Sequence, residues 1–354
     1  MGVDSSIGDE RIENDEIGVD GNWSDPDIDV DDIGNDINNS DIDADIEVEL
    51  GDEKETATPE NPKATKHIAE ARKKLIAAHD TYTSQSTGRN ARMAGVKPTT
   101  DSFQWVSIRT DVEAAMAALE RASEHAEGGQ AVNVLALEQV GYLLLLSAKT
   151  DRKLIDAYEH FEFATERLFN ESFGQTETAR NRMANDYEEA NEIYQELTEK
   201  IEPKSAGVFS QLSERLYERK IRQLDGAIAA FQDFDTGLES AQSAIKGVKP
   251  AVDAYHSDEY EDARDGFMRA SAEFAGASMS FTIVGQSTGL QSRASDLHAT
   301  ISTMEQATKD LQRSAQGRLD GERLIYYEAK RAAEEHIESD ERVKNMSAFR
   351  DILF

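Results

Sequence analysis

The chain has 354 residues, no cysteine, six prolines, and 70 acidic against 38 basic residues, for a formal net charge of −32. A disulfide scaffold, a zinc–thiolate site and a thiol nucleophile are thereby excluded. Nonspecific nucleic-acid binding is disfavoured, because it begins with cations that neutralise phosphates.

Residues 1–60 hold 22 acids and two bases (Arg11, Lys54), a net of −20, and residues 61–354 hold the remaining −12. The front segment is Asp, Asn, Gly and Ser with isolated Ile and Val. It cannot bury enough apolar surface to offset the entropy of ordering, so residues 1–62 are expected to be a disordered acidic tail. Within it, Asp27–Ile33 and Asp41–Val48 alternate acid and aliphatic at period two. Three readings stay open for this stretch: a solvated tail, a motif that adds a strand to a partner's sheet edge, and a calcium loop. For calcium, Asp27, Asp29 and Asp31 fit the first ligand positions, but Asp32 and Asn38 stand where Gly and Glu are needed. The N-terminus has neither the basic nor the apolar stretch of a secretory signal, so the expected compartment is the cytoplasm.

From Pro62 the composition shifts to Ala, Leu, Glu, Arg and Gln, and apolar residues recur at three- and four-residue spacing. Helices are predicted over 63–82, 103–127, 130–149, 151–171, 176–201, 206–247, 250–256, 258–276, 278–314, 318–337 and 341–353. Asp151, Ser205 and Asp258 are expected N-caps, and a sub-boundary is expected near 203–205, beside Pro203. The connection Thr83–Ser102 is long. It carries Arg89, Arg92 and Lys97 with no acid between Asp80 and Asp101, and three readings stay open: a basic island that holds a partner's acidic segment, one that holds the protein's own tail, or a mobile loop. Phe103 and Trp105 after it are expected in the core. The most apolar run, Val132–Ala148, is interrupted by Asn133, Glu138 and Gln139. It is expected to be a buried helix rather than a membrane span. At the other end, Tyr326, Tyr327, Phe349 and Phe354 sit among Arg318, Arg323, Lys330, Arg331, Arg342, Lys344 and Arg350. This end is expected to dock, either on the body or on a partner.

One face recurs: a large residue, Ala at +3, a large residue at +7, and a small or apolar one at +10. It occurs at Ile68/Ala71/Leu75/Ala78, Val112/Ala115/Leu119/Ala122, Leu154/Ala157/Phe161/Ala164, Tyr187/Ala190/Tyr194/Leu197, Leu224/Ala227/Phe231/Phe234 and Tyr260/Ala263/Phe267/Ala270. A degenerate copy is Leu297/Thr300/Met304/Ala307. The pattern resembles the second helix of tetratricopeptide repeats, most closely at Asp186–Tyr194 and Glu259–Ala270. The first-helix signature and the repeat-ending proline are missing. That resemblance implies a superhelix of paired helices that binds peptides or proteins. The acidic, Arg-over-Lys body, with 21 Arg among its 36 bases, resembles proteins of salt-loving archaea.

The seven histidines stand alone, none with Glu three residues before it, and no H-E-x-x-H, G-x-G-x-x-G or G-x-x-x-x-G-K-[ST] occurs. Two architectures fit the whole: a helical-hairpin array (tetratricopeptide-like superhelix) or an irregular antiparallel helical bundle, all-α over 63–354. The expected function is non-enzymatic protein–protein interaction or scaffolding, without cofactor, nucleic acid or membrane span. The alternatives are a self-assembling structural component and an enzyme with a dispersed site. The candidate interaction residues are Arg89, Arg92, Lys97, Tyr326, Tyr327, Phe349 and Phe354.

Overall fold

The computed structural model describes residues 60–86, 92–201, 209–285 and 289–352. The acidic tail with its alternating stretch and calcium-like spacing, and the boundary at 203–205, lie outside the described residues. Where residues are described, the chain is α-helix, one short 3-10 turn and connections, with no strand among them. The helices are α1 Pro62–Thr83, α2 Trp105–Ser123, α3 Gly129–Phe169, α4 Phe173–Lys200, α5 Glu214–His256, α6 Tyr260–Val284, α7 Gln291–Leu319, α8 Arg323–Ser339, α9 Glu341–Asn345 and α10 Ser347–Arg350. The 3-10 turn Met93–Gly95 lies between α1 and α2.

Helix ends follow local chemistry. The Asn61 side chain accepts from the Lys63 amide at 3.0 Å, with Pro62 at the first helical position, where its missing N–H costs nothing. Ser213 caps α5 through the Leu216 amide, and Asp340 caps α9 through the amides of Arg342 and Val343. Connections of three residues (170–172, 257–259, 320–322) turn the chain straight back. Neighbours in sequence are therefore neighbours in space: α1 packs on α2, α3 on α4, α5 on α6, α6 on α7 and α7 on α8, while α4 and α3 carry the packing across to α5.

Several expected boundaries are corrected. The break at 149–151 is absent, and α3 runs through it for 41 residues, roughly 60 Å. Asp151 is not a cap, because its carboxylate is held by Lys220. α5 runs through Pro250. Pro250 and Lys246, whose carbonyl loses its donor, are both exposed, so water can take the freed acceptor. α5 also begins at Glu214 rather than at 206. Asp258 lies outside α6 in a left-handed conformation (φ 62°), and Glu259 is the N-cap residue. The break between α6 and α7 falls after Gly285, not near 277.

The recurring four-residue face is core throughout α1–α7. Its members are buried except Tyr194 and Tyr260, which are half-buried against the core. It recurs once per helix, and α3 and α5 carry further core residues beyond it. At the centre, Phe161 of α3 stacks on Phe234 of α5 (centroids 4.1 Å apart), which in turn meets Phe281 of α6 at 6.1 Å. α5 and α6 approach closely where side chains are missing. A Cβ on Gly266 would lie 2.7 Å from the Ala251 methyl, and one on Gly237 would lie 2.6 Å from the Phe281 ring.

The last described segment, around Ser347–Phe349, docks on the body, one of the two expected outcomes, and residues 353–354 lie outside the described residues. Glu171 accepts from the Ser347 amide (2.8 Å), the Ser347 hydroxyl (2.5 Å) and the Ala348 amide (2.8 Å), and Phe349 is fully buried near Phe274.

Candidate functional site

The residues expected to form an interaction surface are dispersed. Tyr326 and Phe349 are core side chains, so neither faces a partner in this conformation. Arg318 stacks on Tyr326 (3.7 Å to the centroid), and Tyr326 stacks on Tyr255. Tyr327 is 61% exposed. Arg92 and Lys97 are half-buried, and the Lys97 stem lies against Gly289. Between them Met93 and Val96 are core, so this part of the basic connection is packed down on the body. Arg89 and Phe354 lie outside the described residues. Phe103 is buried and Trp105 half-buried, as expected.

The strongest concentration of polar chemistry is one that sequence reasoning missed. The Lys220 ammonium donates to both Asp151 oxygens (2.7 and 2.6 Å), to Gln223 Oε1 (2.6 Å) and to the Met93 carbonyl (3.3 Å), and the Tyr82 hydroxyl donates to Asp151 at 2.5 Å. Tyr82, Asp151 and Lys220 are all fully buried. Burial pushes the Asp151 carboxyl up against the pull of Lys220, and burial pushes the Lys220 ammonium down against the pull of Asp151. Tyr82 is driven well above its ordinary range by burial and by the Asp151 charge. A reacting centre needs room for a substrate beside such groups. Here every polar atom is spent on another, so the cluster ties α1, α3, α5 and the 3-10 turn together.

Two further arrangements resemble catalytic chemistry. Ser278 Oγ and His298 Nδ1 stand 2.9 Å apart between α6 and α7. No carboxylate contacts the ring among the described residues, and the surrounding N–H groups belong to helices, leaving no donor for an oxyanion. Gly285-Gln286-Ser287-Thr288-Gly289 has the letters of a G-x-S-x-G elbow. The elbow works by straining a serine between a strand and a helix. Here α6 precedes the segment and α7 follows it, with no strand among the described residues, and residues 286–288 themselves lie outside the described residues.

The surface shows an arrangement suited to binding. Val112, Glu113, Met116, Ala117 and Glu120 of α2 and Glu138, Tyr142 and Leu145 of α3 line a groove of about 470 Å³. Leu135 and Val132 lie nearer the start of α3 and are 63% and 68% exposed. Residues 132, 135, 142 and 145 fall on one helix face. The Val132–Ala148 run is therefore only half buried. Its inner residues (Val134, Leu137, Val140, Leu144) are core, while a second apolar face is left open. Among the described residues α3 is the one helix long and apolar enough, by length and composition, to cross a membrane, and half of that stretch is buried in the body.

Charge rims the groove on both sides. Glu113 is paired with Arg109 at 2.7 Å, whereas Glu120 and Glu138 have no ion-pair partner among the described residues. Burial raises the Glu138 carboxyl above its ordinary range. Lys200, which faces Tyr142 from α4, is held by Glu196 at 2.5 Å. An apolar floor edged by unpaired carboxylates, Glu138 half-buried and Glu120 exposed, suits an amphipathic helix carrying cations. A second depression of about 460 Å³, beside Phe163 and Phe169, is less open in chemistry, because its Arg293 is already held by Glu162 at 2.7 Å.

No protein-family model matches the chain, and neither the curated proteins nor the solved structures contain a match to it.

Proposed function

We propose that the chain is a non-enzymatic docking protein whose α2–α3 groove receives a cationic amphipathic helix from a partner protein. The observation that carries the reading is the exposed apolar row Val132–Leu135–Tyr142, with Leu145 half-buried at its end, beside Glu120 and Glu138. From Val132 to Leu145 the floor spans roughly 20 Å, the length of a helix of about 13 residues. Burying a Leu-sized side chain there contributes roughly 1.5–3 kcal/mol, so the apolar floor supplies affinity and the carboxylates select the sign of the partner's charge. The same acids oppose an anionic lipid surface, which favours a protein over a membrane as occupant.

The reading keeps the high-salt setting suggested by composition. At about 1 M salt the Debye length is roughly 3 Å, so a chain of charge −32 is not driven apart and only contact-range charges discriminate.

The test uses two synthetic helical peptides with the same leucine face, one lysine-rich and one glutamate-rich, titrated against the full chain in molar KCl. The lysine peptide is expected to bind and the glutamate peptide not to. The charge-neutral double variant Leu135→Ser/Tyr142→Ser should weaken binding at least tenfold, and Glu120→Gln/Glu138→Gln severalfold. Equal binding of both peptides, or unchanged binding by the serine variant, would overturn the reading.

A further inference from the structure

A different surface, independent of the groove, carries a second inference. α6 packs between α5 and α7 and leaves one face uncovered. Met268, Met279 and Ile283 on that face are 49%, 69% and 48% exposed. Ala272 and Gly276 between them are exposed, and Ala275 is half-buried. The steps 268, 272, 276, 279 and 283 (4, 4, 3 and 4 residues) keep the five positions on one face of the helix. The stripe is straight over roughly 22 Å, with bulky residues at its ends and small ones in the middle.

The stripe is complementary to itself when reversed. About a point between Ala275 and Gly276, Met268 maps onto Ile283, Ala272 onto Met279, and Ala275 onto Gly276. Each bulky Met279 would meet a methyl-sized Ala272, and the small central pair would let the two backbones approach. Charge follows the same order. Every charged residue of α6 (Glu261, Asp262, Arg264, Asp265, Arg269 and Glu273) lies before Phe274, and residues 274–284 carry none. Antiparallel pairing sets Glu273 beside Ser278 and Arg269 beside Thr282 of the other copy. Parallel pairing would set each carboxylate beside its own counterpart, a repulsive arrangement in a chain already strongly negative.

We infer that the outer face of α6 binds a second copy of this chain, antiparallel about a two-fold axis at Ala275–Gly276. Such an interface is isologous, the commonest closed arrangement of identical subunits. One helix per copy buries less than the roughly 800 Å² per partner of a standard interface. The association is therefore weak, with a dissociation constant on the order of 10–100 µM, and the dimer would present two α2–α3 grooves.

Because the chain has no cysteine, crosslinking can read the geometry without background. Full-length Met268→Cys and Ile283→Cys chains are prepared separately, checked for wild-type helicity and melting, then oxidised alone and mixed in molar KCl. Crosslinked dimer is expected only in the mixture, since like positions lie roughly 22 Å apart in the antiparallel pair. Light scattering of the unmodified chain should show mass rising toward twice the monomer between micromolar and millimolar concentration. Met279→Glu, an exposed change that leaves the fold intact, should hold it monomeric. A monomeric mass throughout, a crosslink in Met268→Cys alone, or a Met279→Glu chain that still dimerises would each overturn the inference.

Discussion

Lys220 and Asp151 are 69 residues apart in sequence and share no local pattern, yet they form the most desolvated charge pair in the body. Removing one partner from such a pair leaves an uncompensated buried charge and costs roughly 3–5 kcal/mol. Lys220→Met should destabilise the chain by about that amount in urea titrations, and Asp151→Leu added to it should recover much of the loss, because the two act as one unit. The signal was present in the sequence without being decisive. Lys220 falls on the apolar stripe Tyr217–Leu224–Phe231, and Asp151 on the stripe Ala148–Leu154–Ile155. A charge on a core stripe is a buried charge, but a one-dimensional pattern does not say what pairs with it. By pattern alone Asp151 fits a helix cap equally well. Titration supplies a second residue-scale prediction. Burial, reinforced by Glu162, pushes the Tyr158 hydroxyl up to about 12 from 10.0. A folded-state value above the unfolded one gives stability that is complete below pH 10 and is lost as pH rises toward 12. Tyr158→Phe should flatten the decline in unfolding free energy across that interval, as followed by denaturant titration at successive pH values.

At the scale of elements, helix existence was legible and helix ends were not. Seven repeats of one apolar face each landed on core, because burial enforces the 3.6-residue period regardless of what the face packs against. Ends depend on competition. Asp151 could cap a helix, but a buried ammonium outbids a backbone amide for its carboxylate. Pro250 could end a helix, but an exposed site tolerates the lost hydrogen bond. The apolar run Val132–Ala148 looked like core because hydrophobicity says that a side chain prefers to be covered, not whether this chain covers it. That is why the groove face was missed. Close packing of α5 on α6 gives a prediction at this scale. Gly266→Ala places a methyl 2.7 Å from Ala251 and should destabilise by about 1–3 kcal/mol. Gly174→Ala in α4 meets nothing within 4 Å and should stabilise by up to about 1 kcal/mol. Denaturation midpoints that move together rather than apart would contradict the close contact.

For the whole molecule, charge is the dominant fact. With 70 acids against 38 bases, repulsion opposes the compact state, and salt relieves it. Thermal melts should shift upward as KCl is raised toward 1 M, with most of the gain at the low end, where the Debye length falls from about 30 to 10 Å. A melting temperature independent of salt would remove the physical basis for reading the surface as an adaptation to brine. The all-α class and the docking of the segment around Ser347–Phe349 on the body were both legible, since each follows from apolar residues in excess of what one helix can hide. The α2–α3 groove arises from how those helices are placed together, which no single stretch of sequence contains. Its use as a docking site is tested most directly by amide hydrogen exchange along the full chain, with and without the lysine-rich helical peptide in molar KCl. Slower exchange concentrated in residues 109–120 and 132–145 is the predicted result. Peptide binding that protects other segments and leaves these two unchanged would contradict the account.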